Sequence, residues 1–108
     1  MEYGKYYDLS RELFNLDKDS DFFLMEVDGK GMSKAGIKNK DLLLFRITET
    51  PTIGSIVAAE VDGQVICRKY IKKGTKTILR RVNDKNADIV VDNCIFKGEL
   101  VSLVRNFG

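Results

Sequence analysis

The chain has 108 residues, 44% of them hydrophobic, which suffices for one small core and one domain spanning 1–108. Lys and Arg (18) nearly cancel Asp and Glu (16), so the formal charge of +2 supplies no large field for steering nucleic acid. No apolar run approaches the roughly 20 residues needed to cross a bilayer, and the start "MEYGKYYDLS" has neither a basic head nor an apolar stretch behind it, so the chain reads as cytoplasmic with no membrane partner.

Along the chain, short apolar and β-branched runs alternate with turn residues, an all-β pattern. Ser10 is placed to cap one helical turn over "SRELF", too short for a helix-turn-helix. Strands are predicted near Phe22–Val27, Leu42–Arg46, Ile56–Val61, Gln64–Ile71, Thr77–Val82, Ile89–Val91 and Glu99–Arg105. Asp62-Gly63 between two apolar runs predicts a tight hairpin, because a type I′ turn needs positive φ at both central positions. Lys73-Gly74 predicts a second. The hairpins are expected to build a curved, partly closed antiparallel β-structure around one core containing Leu24, Leu42, Leu44, Val57, Ile66, Leu79, Val90 and Leu103.

Cys67 and Cys94 lie inside apolar runs, without CxxC spacing and with no histidine to complete a metal set. They read as reduced, buried, structural thiols, and neither a metal nor a cofactor is expected. The absence of histidine also removes any Ser-His or Cys-His hydrolase, which leaves lysine or carboxylate for acid–base work near neutral pH.

Several segments carry a resemblance in their shared order and spacing: "FFLMEVDGKGM", "GIKNKDLLLF", "GSIVAAEVDGQVICRKY", "VNDKNADIVV" and "GELVSLVRN". From about Tyr7 to Asn106 the chain resembles the C-terminal domain of LexA, shared with UmuD and the lambda-type phage repressors, whose fold is signal-peptidase-like. The resemblance implies a serine nucleophile in a pattern like Val-x-Gly-x-Ser-Met and a hairpin lysine, kept neutral by burial, as general base. Together these cut the protein's own upstream linker in the SOS response. In this chain the pattern runs Val27-Asp28-Gly29-Lys30-Gly31-Met32, which places Gly31 at the nucleophile position. "GIKNKDLLLF" resembles the family's "GI-x-x-GDLL" segment, and aligning the hairpin without gaps places Arg68 at the lysine position, "VICRKY" carrying Arg where the family usually carries Lys.

Neither replacement can do the chemistry, since glycine has no side chain and a guanidinium does not release its proton at any reachable pH. Two neighbours, Ser33 and Lys69, form the alternative dyad. Against it, successive strand side chains point to opposite faces, so a one-residue shift turns the amine of Lys69 away from the cleft. Ser33 also fits a turn serine bonding nearby backbone, Gly29 and Gly31 fit a tight turn needing positive φ, and Arg68 fits a surface cation if the alignment slips. The one Ala-Gly dipeptide of the kind the family cuts, Ala35-Gly36, lies inside the turn and reads as structural.

The expectation is therefore a LexA-like regulatory and dimerisation domain of a bacterial or prophage transcriptional repressor, without peptidase activity. Alternatives are an active self-cleaving Ser-Lys peptidase through Ser33 and Lys69 or a shifted alignment, and a peptide-binding module that holds an extended segment by strand addition. The cleft turn would be Gly29, Lys30, Gly31 and Met32. In the closing strand Leu100, Ser102 and Val104 fall on one face and Val101, Leu103 and Arg105 on the other. Both faces are largely apolar, which points to a two-fold homodimer interface there. DNA would be reached only through an upstream domain absent from this chain, and a RecA-type activator is not expected to trigger cleavage.

Overall fold

The structure, a computed structural model, describes residues 21–28, 35–82 and 88–105, together with the backbone of 2–7. Eight strands follow in order: β1 (Glu2–Tyr7), β2 (Phe22–Asp28), β3 (Leu42–Ile47), β4 (Ile56–Val61), β5 (Gln64–Lys73), β6 (Lys76–Arg80), β7 (Asp88–Val91) and β8 (Ile95–Val104). They form one sheet in the order β1-β2-β3-β8-β4-β5-β6-β7, every neighbouring pair antiparallel. One further residue pair, Glu2 with Ile66, links β1 to β5 and curls the sheet toward a ring. The curved, partly closed antiparallel structure expected from the hairpin pattern is what the chain forms. No helix among the described residues is long and apolar enough to cross a membrane.

Turn chemistry sets the hairpins. Asp62 and Gly63 both take positive φ (51° and 79°), as a type I′ connection requires, and β4 pairs with β5 from Val61↔Gln64 to Ile56↔Lys69. Gly74 (φ 61°) turns β5 into β6. Most strands match their sequence expectation to within a residue or two. β1 was not anticipated, because "EYGKYY" carries a glycine and no clean alternation. β8 begins at Ile95 instead of Glu99, and the "SRELF" turn lies outside the described residues.

The core divides over the two faces of the sheet, which corrects the single core expected. Val57, Ala58 and Ala59 of β4 are consecutive and all fully buried, so β4 is covered on both sides. On one face Met25, Val27, Ile37, Leu43, Phe45, Ala58 and Cys67 pack together. Phe23 stacks on Phe45 with ring centroids 5.2 Å apart. On the other face Val57, Ala59, Ile66, Tyr70, Leu79 and Val91 form a second cluster, with Phe96 against Tyr70. Val90 is not a core residue: it is 58% exposed, because β7 ends the sheet and alternation buries Val91 in its place. Leu42 and Leu103 are half-buried, whereas Leu24, Leu44, Val57, Ile66 and Leu79 are buried as expected.

β8 lies between β3 and β4 and carries two irregularities. Leu44 pairs with Ser102 but Phe45 with Leu100, so Val101 is an extra residue; Ala58 pairs with Gly98 but Ala59 with Phe96, so Lys97 is another. The bulge at Val101 breaks the alternation predicted for the closing strand, and Leu100 and Leu103 consequently pack against the same cluster.

Candidate functional site

β5 positions the two basic residues singled out by the sequence. Arg68 pairs with Val57 of β4 and is 2% exposed, while Lys69, the next residue along the pleat, is exposed. Arg68 is thus no surface cation. Its Nη1 donates to the carbonyl of Cys67 at 2.8 Å. Its own burial excludes water from it, and on the opposite face of the strand burial pushes the thiol of Cys67 up to about 12, partly offset by the Arg68 charge. Such surroundings would draw an amine toward neutrality, whereas a guanidinium stays charged in them. On its edge away from β4, β5 meets β1 at Ile66 and β6 from Lys69 onward, so Arg68 stands where those two neighbours part.

The turn that follows β2 is the other half of the expected site. Gly29, Lys30, Gly31, Met32 and Ser33 lie outside the described residues. Val27 N–H donates to the Asp41 carbonyl (2.8 Å) and Lys40 N–H to the Val27 carbonyl (2.9 Å), which clasps the two ends of the excursion together. Ile37 is buried against Val27. Lys40, at the glycine position of the "GI-x-x-GDLL" pattern, takes φ 74°.

Sequence reasoning missed the anchor of this excursion. Asp41 is 2% exposed and accepts from the Lys38 N–H (2.7 Å) and from Arg105 Nε and Nη2 (2.8 Å each); Nη2 also donates to the Gly36 carbonyl at 2.7 Å. The Arg105 hydrogen bonds hold the Asp41 carboxyl below the usual carboxylate range despite burial. Arg105, expected at a dimer interface, also holds the segment 36–41 through these bonds. The signal was present in "KDLL" and "LVRN", two short segments with no local reason to be linked. A hollow of about 190 Å³ opens beside them, lined by Lys38, Asn39, Lys40, Asp41 and Arg105.

A second buried carboxylate sits on β8. Glu99 accepts from the Thr52 N–H at 2.6 Å and from Arg46 Nη2, and the Thr52 amide is the chief cause of its lowered pKa. This fastens the connection between β3 and β4 to the strand that separates them. Beyond Glu99, β8 pairs with β3 alone among the described residues. Along that stretch Val101 and Ser102 are exposed, while Leu100, Leu103, Val104 and Arg105 are half-buried. Among the described residues no three Cys, Asp or Glu side chains converge as a metal site would require.

Residues 1–101 match the model of the family described as Peptidase S24-like. The chain is similar to the LexA repressor of Actinobacillus pleuropneumoniae serotype 7, with 34% identity over 105 residues, covering 94% of this chain and 49% of the relative. It is also 31% identical to the LexA repressor of Clostridium botulinum over 87 residues (81% and 43%), and 32% identical to that of Limosilactobacillus reuteri over 93 (85% and 45%). The chain spans about half the length of these curated relatives or a little less.

Proposed function

From a chain that belongs to the Peptidase S24-like family, we propose a regulatory and dimerisation domain of a LexA-like transcriptional repressor that does not cut itself. The observation that carries this is Arg68: it is buried on β5 at the position where the resemblance implies the general base, and it is a guanidinium. A nucleophilic hydroxyl needs a neighbour that can take its proton, and arginine keeps its own at every pH at which the chain stays folded. Lys69 is the nearest amine in sequence and its side chain is exposed. Gly31, at the nucleophile position, has no hydroxyl to activate.

In this proposal the domain serves its repressor by pairing. The edge of β8 that no described strand pairs past Glu99 accepts the same strand of a second copy about a two-fold axis, with Val101 at its centre. Operator DNA is bound by the part of the protein that the relatives' extra length represents. The test joins this chain to a linker containing an Ala-Gly site and follows its intact mass during incubation from about pH 7 to 10, across the range where a buried lysine would deprotonate. An uncut chain is expected throughout. Cleavage that Ser33→Ala or Lys69→Ala abolishes would overturn the proposal and establish the alternative dyad.

A further inference from the structure

The net charge of +2 conceals a strong separation of charge. Residues 68–81, "RKYIKKGTKTILRR", hold 7 of the 18 basic residues and none of the 16 acidic ones, leaving 11 basic against 16 acidic in the rest of the chain. This segment is the β5–β6 hairpin, which projects past the point where β1 leaves β5.

The register places like charges directly opposite one another. Lys73 pairs with Lys76 and Lys69 with Arg80, on one face of the hairpin, with Ile71 and Ile78 paired between them. Arg80 is satisfied by Asp88 of β7, its Nε and Nη2 donating to the two carboxylate oxygens at 2.7 and 3.0 Å. Lys69, Lys72, Lys73 and Lys76 are all exposed. Facing cations across a strand pair oppose folding, and nothing in the packing requires lysine at an exposed hairpin tip. Strand geometry separates the Lys69–Arg80 row from the Lys73–Lys76 row by roughly 13 Å, so the face offers positive charge at two levels along its length. A second copy of the same face would be repelled.

We infer that the exposed tip of the β5–β6 hairpin binds the phosphate backbone of duplex DNA, with Lys73 and Lys76 on one side of the tip and Lys72 on the other as the principal contacts. The inference rests on the repressor reading, which brings the domain close to DNA held by another part of the protein. Contacts of this kind position a protein on the duplex and carry no base sequence. They add affinity and on-rate by releasing counterions, and a local excess of lysines at an exposed tip favours the duplex even where the whole chain is nearly neutral.

The experiment measures anisotropy of a labelled random-sequence duplex with the 108-residue chain itself, from about 20 to 200 mM salt, so that no operator and no upstream domain enters. Weak binding is expected, with a dissociation constant on the order of 10⁻⁴ to 10⁻⁵ M at low salt and a log–log salt slope of about −3. The triple variant K72Q/K73Q/K76Q should lose at least tenfold in affinity and most of that slope, while unfolding at the same temperature as the parent or higher. The control K38Q/K40Q/K97Q removes the same charge elsewhere and should lose less than about threefold. Equal losses in the two variants would overturn the inference, as would absence of DNA binding, or binding of a Glu-rich peptide in preference to the duplex. Each of those results would leave the absence of self-cleavage untouched, because that is read from a different chain by mass.

Discussion

Arg105 holds Asp41 with both arms of its guanidinium, Nε to Oδ1 and Nη2 to Oδ2 at 2.8 Å each, across 64 positions of sequence. The same Nη2 reaches the Gly36 carbonyl, and Asp41 caps the Lys38 N–H. The segment that leaves the glycine-rich turn is therefore fastened to the end of β8. Hydrogen bonds to charged groups contribute about 1.5–3 kcal/mol each, and removing one partner leaves the other charge buried. Arg105→Gln should accordingly destabilise the fold by about 2–4 kcal/mol in urea unfolding.

The pH dependence of that pair has a definite sign. Arg105 keeps the folded-state Asp41 pKa below its ordinary value, so the stabilisation is complete above about pH 4 and is lost as the pH falls through the lower folded-state value. Glu99 adds a loss in the same direction, its carboxylate being held chiefly by the Thr52 amide. Urea midpoints measured from about pH 7 to 2.5 should hold nearly flat and then drop below about pH 4. In Arg105→Gln the drop should be shallower, because burial without the guanidinium raises the folded-state Asp41 pKa, and a carboxyl that takes up its proton more readily when folded adds no acid loss.

Lys40 takes φ 74°, a left-handed conformation that costs a side-chain-bearing residue about 1 kcal/mol or more. Its ammonium is 3.9 Å from Glu26 with the side chain 75% exposed, an arrangement that contributes little. Lys40→Gly should raise stability by roughly 0.5 kcal/mol after the added chain entropy is subtracted. A lower melting temperature for this variant would show that the ion pair outweighs the backbone.

Gly98 is enclosed. A Cβ there would stand 2.8 Å from the Arg46 carbonyl oxygen, 2.9 Å from Phe23 Cε1 and 3.0 Å from Phe45 Cβ. Backbone and two stacked rings give way poorly, so Gly98→Ala should cost about 2–3 kcal/mol. Calorimetry would read it as a fall of about 10 °C or more in a domain of this size.

On the proposed reading, restoring the chemistry requires both positions. Gly31→Ser supplies a hydroxyl without a base, and Arg68→Lys supplies an amine without a nucleophile, so each alone should leave an Ala-Gly-bearing linker uncut. The double variant should cleave it at a rate rising with pH, with the burial already present at position 68 depressing the new amine's pKa. Fragments would be read by mass. Failure of the double variant, with the fold intact, would mean that the turn no longer aims residue 31 at β5.

The chain should sediment as a dimer at tens of micromolar, and Val101→Lys should shift it to a folded monomer whose melting temperature no longer depends on protein concentration. Val101 is 44% exposed and is the bulged residue of β8, so a lysine there disturbs no core contact.

Most of the fold was legible because the sheet is built from local hairpins: Asp62-Gly63 declares its turn, and the runs beside it alternate as strands should. What escaped was non-local. "IFKG" did not read as strand because Gly98 lowers β propensity, and only the proximity of Phe23 and Phe45 explains that glycine. Val90 reads as core from its neighbours, and only its place on the last strand of the sheet exposes it. At the site, Arg68 and Lys69 were separable by the pleat. The Asp41–Arg105 clasp was not, because nothing in either segment names its partner.

β8, the last of the described strands, lies between β3 and β4, which follow one another in sequence without pairing. Vectorial synthesis at the ribosome therefore delivers β3 and β4 with two open edges facing each other across a vacant lane, and the strand that fills it emerges last. Until residues 95–104 arrive, Phe45 and Ala58 lack the backbone that runs between them. A nascent or C-terminally shortened chain would thus present a pair of sticky edges that invite a strand from another molecule. Completion of this domain is gated by its final ten-residue strand, whatever hairpins have formed before it.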